Sequence, residues 1–213
     1  ELTEYLQTVS GEDGSFLRPS FWPTTHDILT PYMQHGGVAA FAIRAVLAAT
    51  GAPTWGIYSG YELVENVPAS EHNTEYLDSE KYQIKERDWS DPPLAPLIRT
   101  VNEVRRRHPD VWALRDVRFH HSDNEQLLVY SRGHVARDLL LVVVNLDPHH
   151  AQETTVRLDL GDRLPPGRYR VELEDVSGAV FASTHAVGGE PFAWAAGGVR
   201  SVDGEDAHLP VLP

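Results

Sequence analysis

His26 and Asp27 follow directly on Phe21-Trp22-Pro23-Thr24-Thr25, a short run of apolar, aromatic and β-branched residues. Such a run reads as a buried parallel strand, and the imidazole–carboxylate pair then stands at its C-terminal mouth, where βα barrels place their chemistry. A carboxylate there can accept hydrogen bonds from sugar hydroxyls or stabilise positive charge in a transition state. Asp-Ile-Leu-Thr equally suits an N-cap for the helix that follows, and pattern alone supports both readings of Asp27. His26 can donate a hydrogen bond to a hydroxyl while neutral, but the commoner fate of a lone histidine is to be buried and satisfied.

A second chemistry-bearing stretch is Glu75-Tyr76-Leu77-Asp78-Ser79-Glu80-Lys81-Tyr82, which mixes carboxylates, a lysine and aromatics. Aromatic rings stack on the apolar faces of sugars while charged groups take the hydroxyls. The plainer reading, a solvated loop with salt bridges, is favoured on sequence alone. Tyr58, Tyr61 and Glu62 carry the same two readings. Arg105-Arg106-Arg107 reads as a charge cluster at a helix C-terminus, not a phosphate site. His120-His121 and His149-His150 lack acidic or histidine partners at ligand spacing, so no metal site is expected. A Gly-rich phosphate loop and a Gly-x-Ser-x-Gly elbow are both missing from the sequence, and no cofactor is expected.

These residues need elements to hold them. Leu2, Tyr5 and Leu6 share one face of a helical segment ending near Ser10. A strand over residues 21–25 and a short helix over 28–34 follow. Residues 38–49 form a helix by length and alanine content, covered on most sides because Arg44 is its one charge. Gly51 suits the C′ position and Pro53 a stop. A second strand spans 53–59, and strand, helix and strand at this spacing make a parallel βαβ unit. The connection over 60–91 is long, and long ordered loops are usually functional. Asp91-Pro92-Pro93 should start a helix with Leu94, Leu97, Ile98, Val101 and Val104 on one stripe, ended by Pro109.

Beyond about Leu114 the character changes. Residues 117–120, 127–130, 139–144, 154–158, 169–173, 180–181 and 209–212 are short strand candidates. Gly133, Asp147-Pro148, Pro165-Pro166-Gly167, Ser177-Gly178, Gly188-Gly189 and Gly197-Gly198 punctuate them, which predicts an antiparallel sandwich. Residues 139–144 are apolar throughout and should form its central strand. The fold class is therefore α/β plus all-β, with one domain over 1–115 and another over 116–213. Two parallel strands cannot close a barrel, which needs eight. The first domain should bury its sheet edge against something outside this sequence.

Composition sets the bounds. The chain has 213 residues, 41% hydrophobic and 23% charged, as in a folded protein of one large or two small domains. It contains no cysteine, which excludes disulfides and thiolate metal sites. No run approaches a membrane span, and the first residues are no signal peptide. A formal net charge of -13 disfavours nucleic acid or an anionic membrane as partner. The start at Glu1 instead of an initiator Met points to a piece of a longer chain.

Several stretches resemble one family. They are Asp27-Ile28-Leu29-Thr30, Ala45-Val46-Leu47-Ala48-Ala49-Thr50, Trp55-Gly56-Ile57-Tyr58-Ser59-Gly60-Tyr61-Glu62-Leu63, Glu75 through Ile84, Arg87-Asp88-Trp89 and Val143-Val144-Asn145-Leu146-Asp147-Pro148. They resemble the maltose-1-phosphate maltosyltransferases, the GlgE-type members of the α-amylase superfamily. The tract from Trp55 to Tyr82 is the specific part.

The resemblance implies a multidomain (β/α)8-barrel enzyme in the cytoplasm. It would move maltosyl from α-maltose 1-phosphate to the non-reducing end of an α-1,4-glucan, with retention and release of phosphate. The nucleophile and the acid/base that retention requires fall upstream of this chain. What remains is the C-terminal part of the barrel, strands 7 and 8 with their helices, followed by the β-sandwich, and this piece should be inactive alone. Asp27 matches the family's third carboxylate, a transition-state stabiliser. His26 would bind substrate, although it departs from the residue found here in some members, and Lys81 and Tyr82 match a Lys-Tyr pair that contacts the donor. Implied partners are the two substrates, the remainder of the same enzyme and a second copy in a homodimer. The alternatives are another α-glucan hydrolase or a maltose isomerase of the superfamily, or a glucan-binding module using Tyr130, Tyr169 or Trp194.

Overall fold

The computed structural model describes residues 1–113, 117–134, 138–158, 169–176, 179–186, 200–201 and 206–211. Helix α1 (Leu2–Ser10) buries Leu6 and Val9. Tyr5, expected on the inner face, is 44% exposed, its ring 5.9 Å from that of Phe21.

Strands β1 (Ser20–Phe21) and β2 (Thr54–Trp55) pair in parallel, with Ser20 opposite Thr54 and Phe21 opposite Trp55. The parallel pairing is as expected, but both strands are shorter than 21–25 and 53–59. Pro23 has no N–H to give a ladder. The Trp22 indole also crosses the partner backbone: a side chain at Gly56 would come within 2.5 Å of it. Helix α2 (Pro31–His35) starts from Thr30 with proline in its first turn.

Helix α3 (Gly37–Gly51) buries residues 40–43 and 45–51, and Arg44 turns outward over the Tyr32 ring. Gly51 lies inside the helix and not after it. A side chain there would press on Phe21 Cε2 at 3.3 Å. Helix α4 (Ala95–Arg107) begins later than Asp91, because Ala95 N–H closes a turn on the Pro92 carbonyl at 3.1 Å. Its stripe of Leu97, Val101 and Val104 is buried as expected. Arg105 does more than decorate its own helix end. Its Nη1 donates to the Ala49 carbonyl and, at 3.1 Å, to that of Ala52, and Nη2 donates to that of Pro53 at 2.7 Å. It thus caps the C-terminus of α3, where the last carbonyls have no partner within the helix itself. Helix α5 (Asp110–Ala113) closes this part.

The strands that follow are β3 (Arg118–Phe119), β4 (His121–Ser122), β5 (Leu127–His134), β6 (Asp138–Asn145), β7 (Gln152–Arg157), β8 (Tyr169–Val176), β9 (Ala179–Ala186), β10 (Arg200–Ser201) and β11 (Asp206–Val211). They form two antiparallel sheets, ordered β3-β5-β6-β9-β8 and β10-β11-β7-β4. β6 is central, as its apolar run predicts. Gly133 is not a turn residue: it pairs with Leu139 inside the β5–β6 ladder, at φ 83°. The short strands β4 and β10 were not anticipated. Asp116 and the turn signals at 165–167, 177–178, 188–189 and 197–198 lie outside the described residues.

Side chains alternate across β5 and β6. Leu127, Val129 and Val143 meet Val156 of the second sheet. Tyr130, Leu140, Val142 and Val144 instead join Phe41, Val46, Leu97 and Val101 in one apolar cluster with α3 and α4. Arg132, buried beside them, donates to the Thr50 carbonyl at 2.6 Å and to that of Val111 at 2.8 Å. The composition changes near residue 116, yet a single interior runs across that point.

Candidate active site

The His-Asp pair is presented by a tight turn. Thr25 and Ile28 exchange backbone hydrogen bonds of 3.3 and 3.1 Å, which leaves His26 and Asp27 at the tip. Leu29, fully buried just beyond, anchors the turn, and its N–H donates to the Thr74 carbonyl at 2.5 Å. His26 Nε2 lies 3.0 Å from Asp27 Oδ2, and the two side chains are 51% and 46% exposed. The buried-histidine reading of His26 is thereby corrected. So is the capping reading of Asp27: α2 starts from Thr30, and the Asp27 carboxylate faces Lys81 Nζ at 2.5 Å.

The connection over 60–91 is ordered by polar contacts to the segment after the turn. Gln34 Nε2 donates to the carbonyls of Leu29 and Asn73 at 2.8 and 2.9 Å, and the Gln34 carbonyl accepts from Asn66 Nδ2 at 3.0 Å. Tyr76 is buried, its ring 5.4 Å from that of Tyr58, and burial pushes its phenol up to about 12. Lys81 is thus delivered between two carboxylates, Asp27 and Glu75. The salt-bridged reading of this loop holds, and its bridges run to the His-Asp turn. The hydrogen bond from Lys81 holds the Asp27 carboxyl below its ordinary range, with nearby His26 acting the same way and burial opposing both. Bonds to Asp27 and Glu75 raise the Lys81 ammonium in turn.

His26, Tyr58, Ser79, Glu80, Lys81 and Tyr82 line an open hollow of about 570 Å³, within the size range of small-molecule sites. Asp27 is bonded to two of these lining residues, His26 and Lys81. The structure therefore brings His26, Asp27, Lys81 and Tyr82 together, with Tyr82 94% exposed. Tyr61 belongs elsewhere: it is buried against Phe41 and donates to that residue's carbonyl. Sequence reasoning missed the part of Glu80 and Arg87. Arg87 Nη2 lies 3.0 Å from Glu80 Oε2, and its Nε lies 3.0 Å from Glu65 Oε1. Their spacing has no helical or strand period, and the one available signal was the density of opposite charges across residues 65–87.

The histidine pairs also need correction, because each has one acidic partner. His121 Nε2 meets Asp123 and His150 Nδ1 meets Asp147, both at 3.0 Å. Among the described residues no three His, Asp or Glu side chains gather as a metal site would require. Of the aromatics weighed for glucan binding, Tyr130 is fully buried and bonded to Thr50, so it offers no surface. Tyr169 begins β8, and Trp194 lies outside the described residues. No helix among the described residues is long and apolar enough to cross a membrane.

Chemically, the hollow offers a charged carboxylate, an imidazole, an ammonium and phenols, a set suited to a polyhydroxylated ligand. Lys81 holds the Asp27 carboxyl below its ordinary range, and Arg87 does the same for Glu80.

Comparison with known proteins identifies the family. Residues 119–197 match the family described as GLGE, C-terminal. Alpha-1,4-glucan:maltose-1-phosphate maltosyltransferase 2 of Streptomyces coelicolor is 56% identical over 165 residues, which is 75% of this chain and 24% of that protein. The maltosyltransferase of Corynebacterium glutamicum is 41% identical over 100% of this chain and 31% of its own length. The chain thus spans under a third of these relatives. Among solved structures, an Anoxybacillus α-amylase superposes with TM-score 0.57 at 12% identity, over 91% of this chain and 35% of its own. A γ-CGTase from alkalophilic Bacillus clarkii does so with TM-score 0.53 at 15% identity, over 99% of this chain and 37% of its own. At such identities the likeness is one of fold, and the fold is that of α-amylase-type proteins. By the sequence it shares with the Streptomyces coelicolor and Corynebacterium glutamicum enzymes, this chain belongs to the GlgE-type maltosyltransferase family.

Proposed function

We propose that this chain supplies part of the sugar site of an enzyme that transfers maltosyl from α-maltose 1-phosphate to the non-reducing end of α-1,4-glucans, with retention and release of phosphate. The observation that carries this reading is the Asp27 carboxylate, presented on a turn tip and paired with Lys81 and His26 at the hollow. Asp27 is the transition-state stabiliser: its hydrogen bonds to ring hydroxyls strengthen as the sugar flattens toward an oxocarbenium ion. His26 and Lys81 take further hydroxyls of the donor, and the exposed Tyr82 ring covers an apolar sugar face.

On this reading, residues 1–115 are strands 7 and 8 of a (β/α)8 barrel with their helices, and 116–213 are the sandwich that follows. The rest of the enzyme, a homodimer, provides the other strands. Retention needs a nucleophile and an acid about 5 Å apart. Asp27, Glu75 and Glu80 are each paired with Lys81 or Arg87. On this reading both reacting carboxyls come from outside this chain, which alone is inert.

The test is Asp27→Asn in the complete enzyme. Asparagine keeps the size of the side chain but not its charge, so kcat should fall by about 100-fold or more with stability preserved. A near-normal rate refutes the role. Sustained phosphate release by the isolated chain, given maltose 1-phosphate and a glucan primer, refutes the division of the site.

A further inference from the structure

The backbone that delivers Lys81 is not relaxed. Asp78 and Glu80 both lie in the left-handed region, at φ 53° and 62°. Side chains of this kind rarely adopt that conformation, and it persists where the surroundings over-determine it. Glu80 is surrounded in that way. The Tyr58 hydroxyl lies 2.8 Å from the Ser79 carbonyl and 3.2 Å from Glu80 Oε2, and Arg87 Nη2 takes the same carboxylate oxygen at 3.0 Å.

Arg87 is itself fixed. Its side chain is 4% exposed. Nε and Nη2 fork onto Glu65 at 3.0 and 3.3 Å, and Nη1 reaches Ser59 Oγ at 3.4 Å. Lys85 adds a contact to Glu65 at 3.1 Å. The fork needs Gly60, which sits at φ 94° and where a side chain would come within 2.7 Å of Arg87 Nε. A guanidinium can hold two carboxylates in one plane, which an ammonium cannot.

We propose that Arg87 is a positioning residue for the donor site: anchored on Glu65, it clamps Glu80 in its left-handed conformation and so aims Lys81 at Asp27. The importance of this to turnover rests on the reading of Lys81 as a donor contact. The clamp itself does not.

The experiment uses the complete enzyme with Arg87→Met, Arg87→Lys, Lys81→Ala and the Arg87→Met/Lys81→Ala pair. Arg87→Met should lower kcat/KM for α-maltose 1-phosphate by about tenfold or more, as small misplacements do, with Arg87→Lys recovering only part. The double variant should be no worse than Lys81→Ala, because both losses pass through one ammonium. Fully additive losses overturn the proposal. The second readout needs no turnover: acetylation of Lys81 by acetic anhydride, mapped by mass spectrometry. Arg87→Met should acetylate severalfold faster than wild type, and an unchanged rate overturns the clamp. If Lys81→Ala leaves activity normal, the donor reading of Lys81 falls while acetylation still decides the clamp. Should Arg87→Met not fold, Glu80→Ala removes the acceptor that Arg87 holds and leaves the Arg87–Glu65 fork intact. It too must speed Lys81 acetylation, or the proposal fails.

Discussion

Arg105→Met tests whether the long-range cap on α3 holds the molecule together. The arginine donates to the carbonyls of Ala49, Ala52 and Pro53 at the end of that helix. Partial burial lowers its pKa by desolvation, so its bonds are partly shielded from water. Methionine preserves the packing of the aliphatic stem and removes every donor. A carbonyl left without a partner costs about 1–3 kcal/mol when buried. The site is only half-buried, so water reaches some of the freed groups and the lower figure applies. Three carbonyls then give about 3 kcal/mol. For a chain of this size that corresponds to a fall in Tm of roughly 6–12 °C. The assay is urea unfolding of the wild-type and variant chains: the midpoint should fall with the slope unchanged. Arg106→Met is the control, since Arg106 is exposed and should change stability by less than about 0.5 kcal/mol. If the two variants lose the same amount, the cap contributes nothing and the reasoning is wrong.

Two further outcomes are expected. Tyr130→Phe removes the hydroxyl that meets Thr50 Oγ1 while Thr50 keeps its bond to the Val46 carbonyl, so urea unfolding should show a loss of about 1 kcal/mol; no loss would mean that this contact does not tie the sheet to α3. The Asp27 carboxyl is depressed below its ordinary 3.8, chiefly by the bond from Lys81. A depressed group stabilises the folded state above its unfolded pKa, and that contribution fades as pH falls through the lowered value. A carbon-13 NMR titration should therefore place Asp27 below 3.8, and Lys81→Met should move it upward; an unmoved midpoint contradicts the pairing.

What could be read in the sequence had a period, a composition or a local chemistry. The apolar run at 139–144 gave the central strand because β6 is covered on both faces, by the second sheet and by the helical core. The alanine-rich stretch gave α3, and strand–helix–strand spacing gave the parallel pairing of β1 with β2. Boundaries failed where tertiary contacts decide them: Trp22 crossing at Gly56 ends a strand early, and a turn on Pro92 delays α4. Of the site, the turn residues His26 and Asp27 and the loop residues Lys81 and Tyr82 were legible as residue types with suitable chemistry. That they meet was carried by family resemblance, since no local pattern links position 27 to position 81. Arg87 stayed hidden for the same reason. Its partners Glu65, Glu80 and Ser59 are brought to it by loop geometry, for which residue order leaves no periodic trace.

The apolar cluster that β5 and β6 share with α3 and α4 governs how this polypeptide can be recombined. A crossover placed at residue 116, where amino-acid usage changes, would divide one interior between two parents. Chimeras whose parents differ at Tyr130, Leu140, Val142 or Val144 would inherit mismatched halves of it. A sandwich excised by itself would expose that face to water and leave Arg132 facing solvent where Thr50 and Val111 had received it. For gene shuffling, and for any attempt to graft this sandwich onto another barrel, the unit of inheritance is the helices and the first sheet taken together.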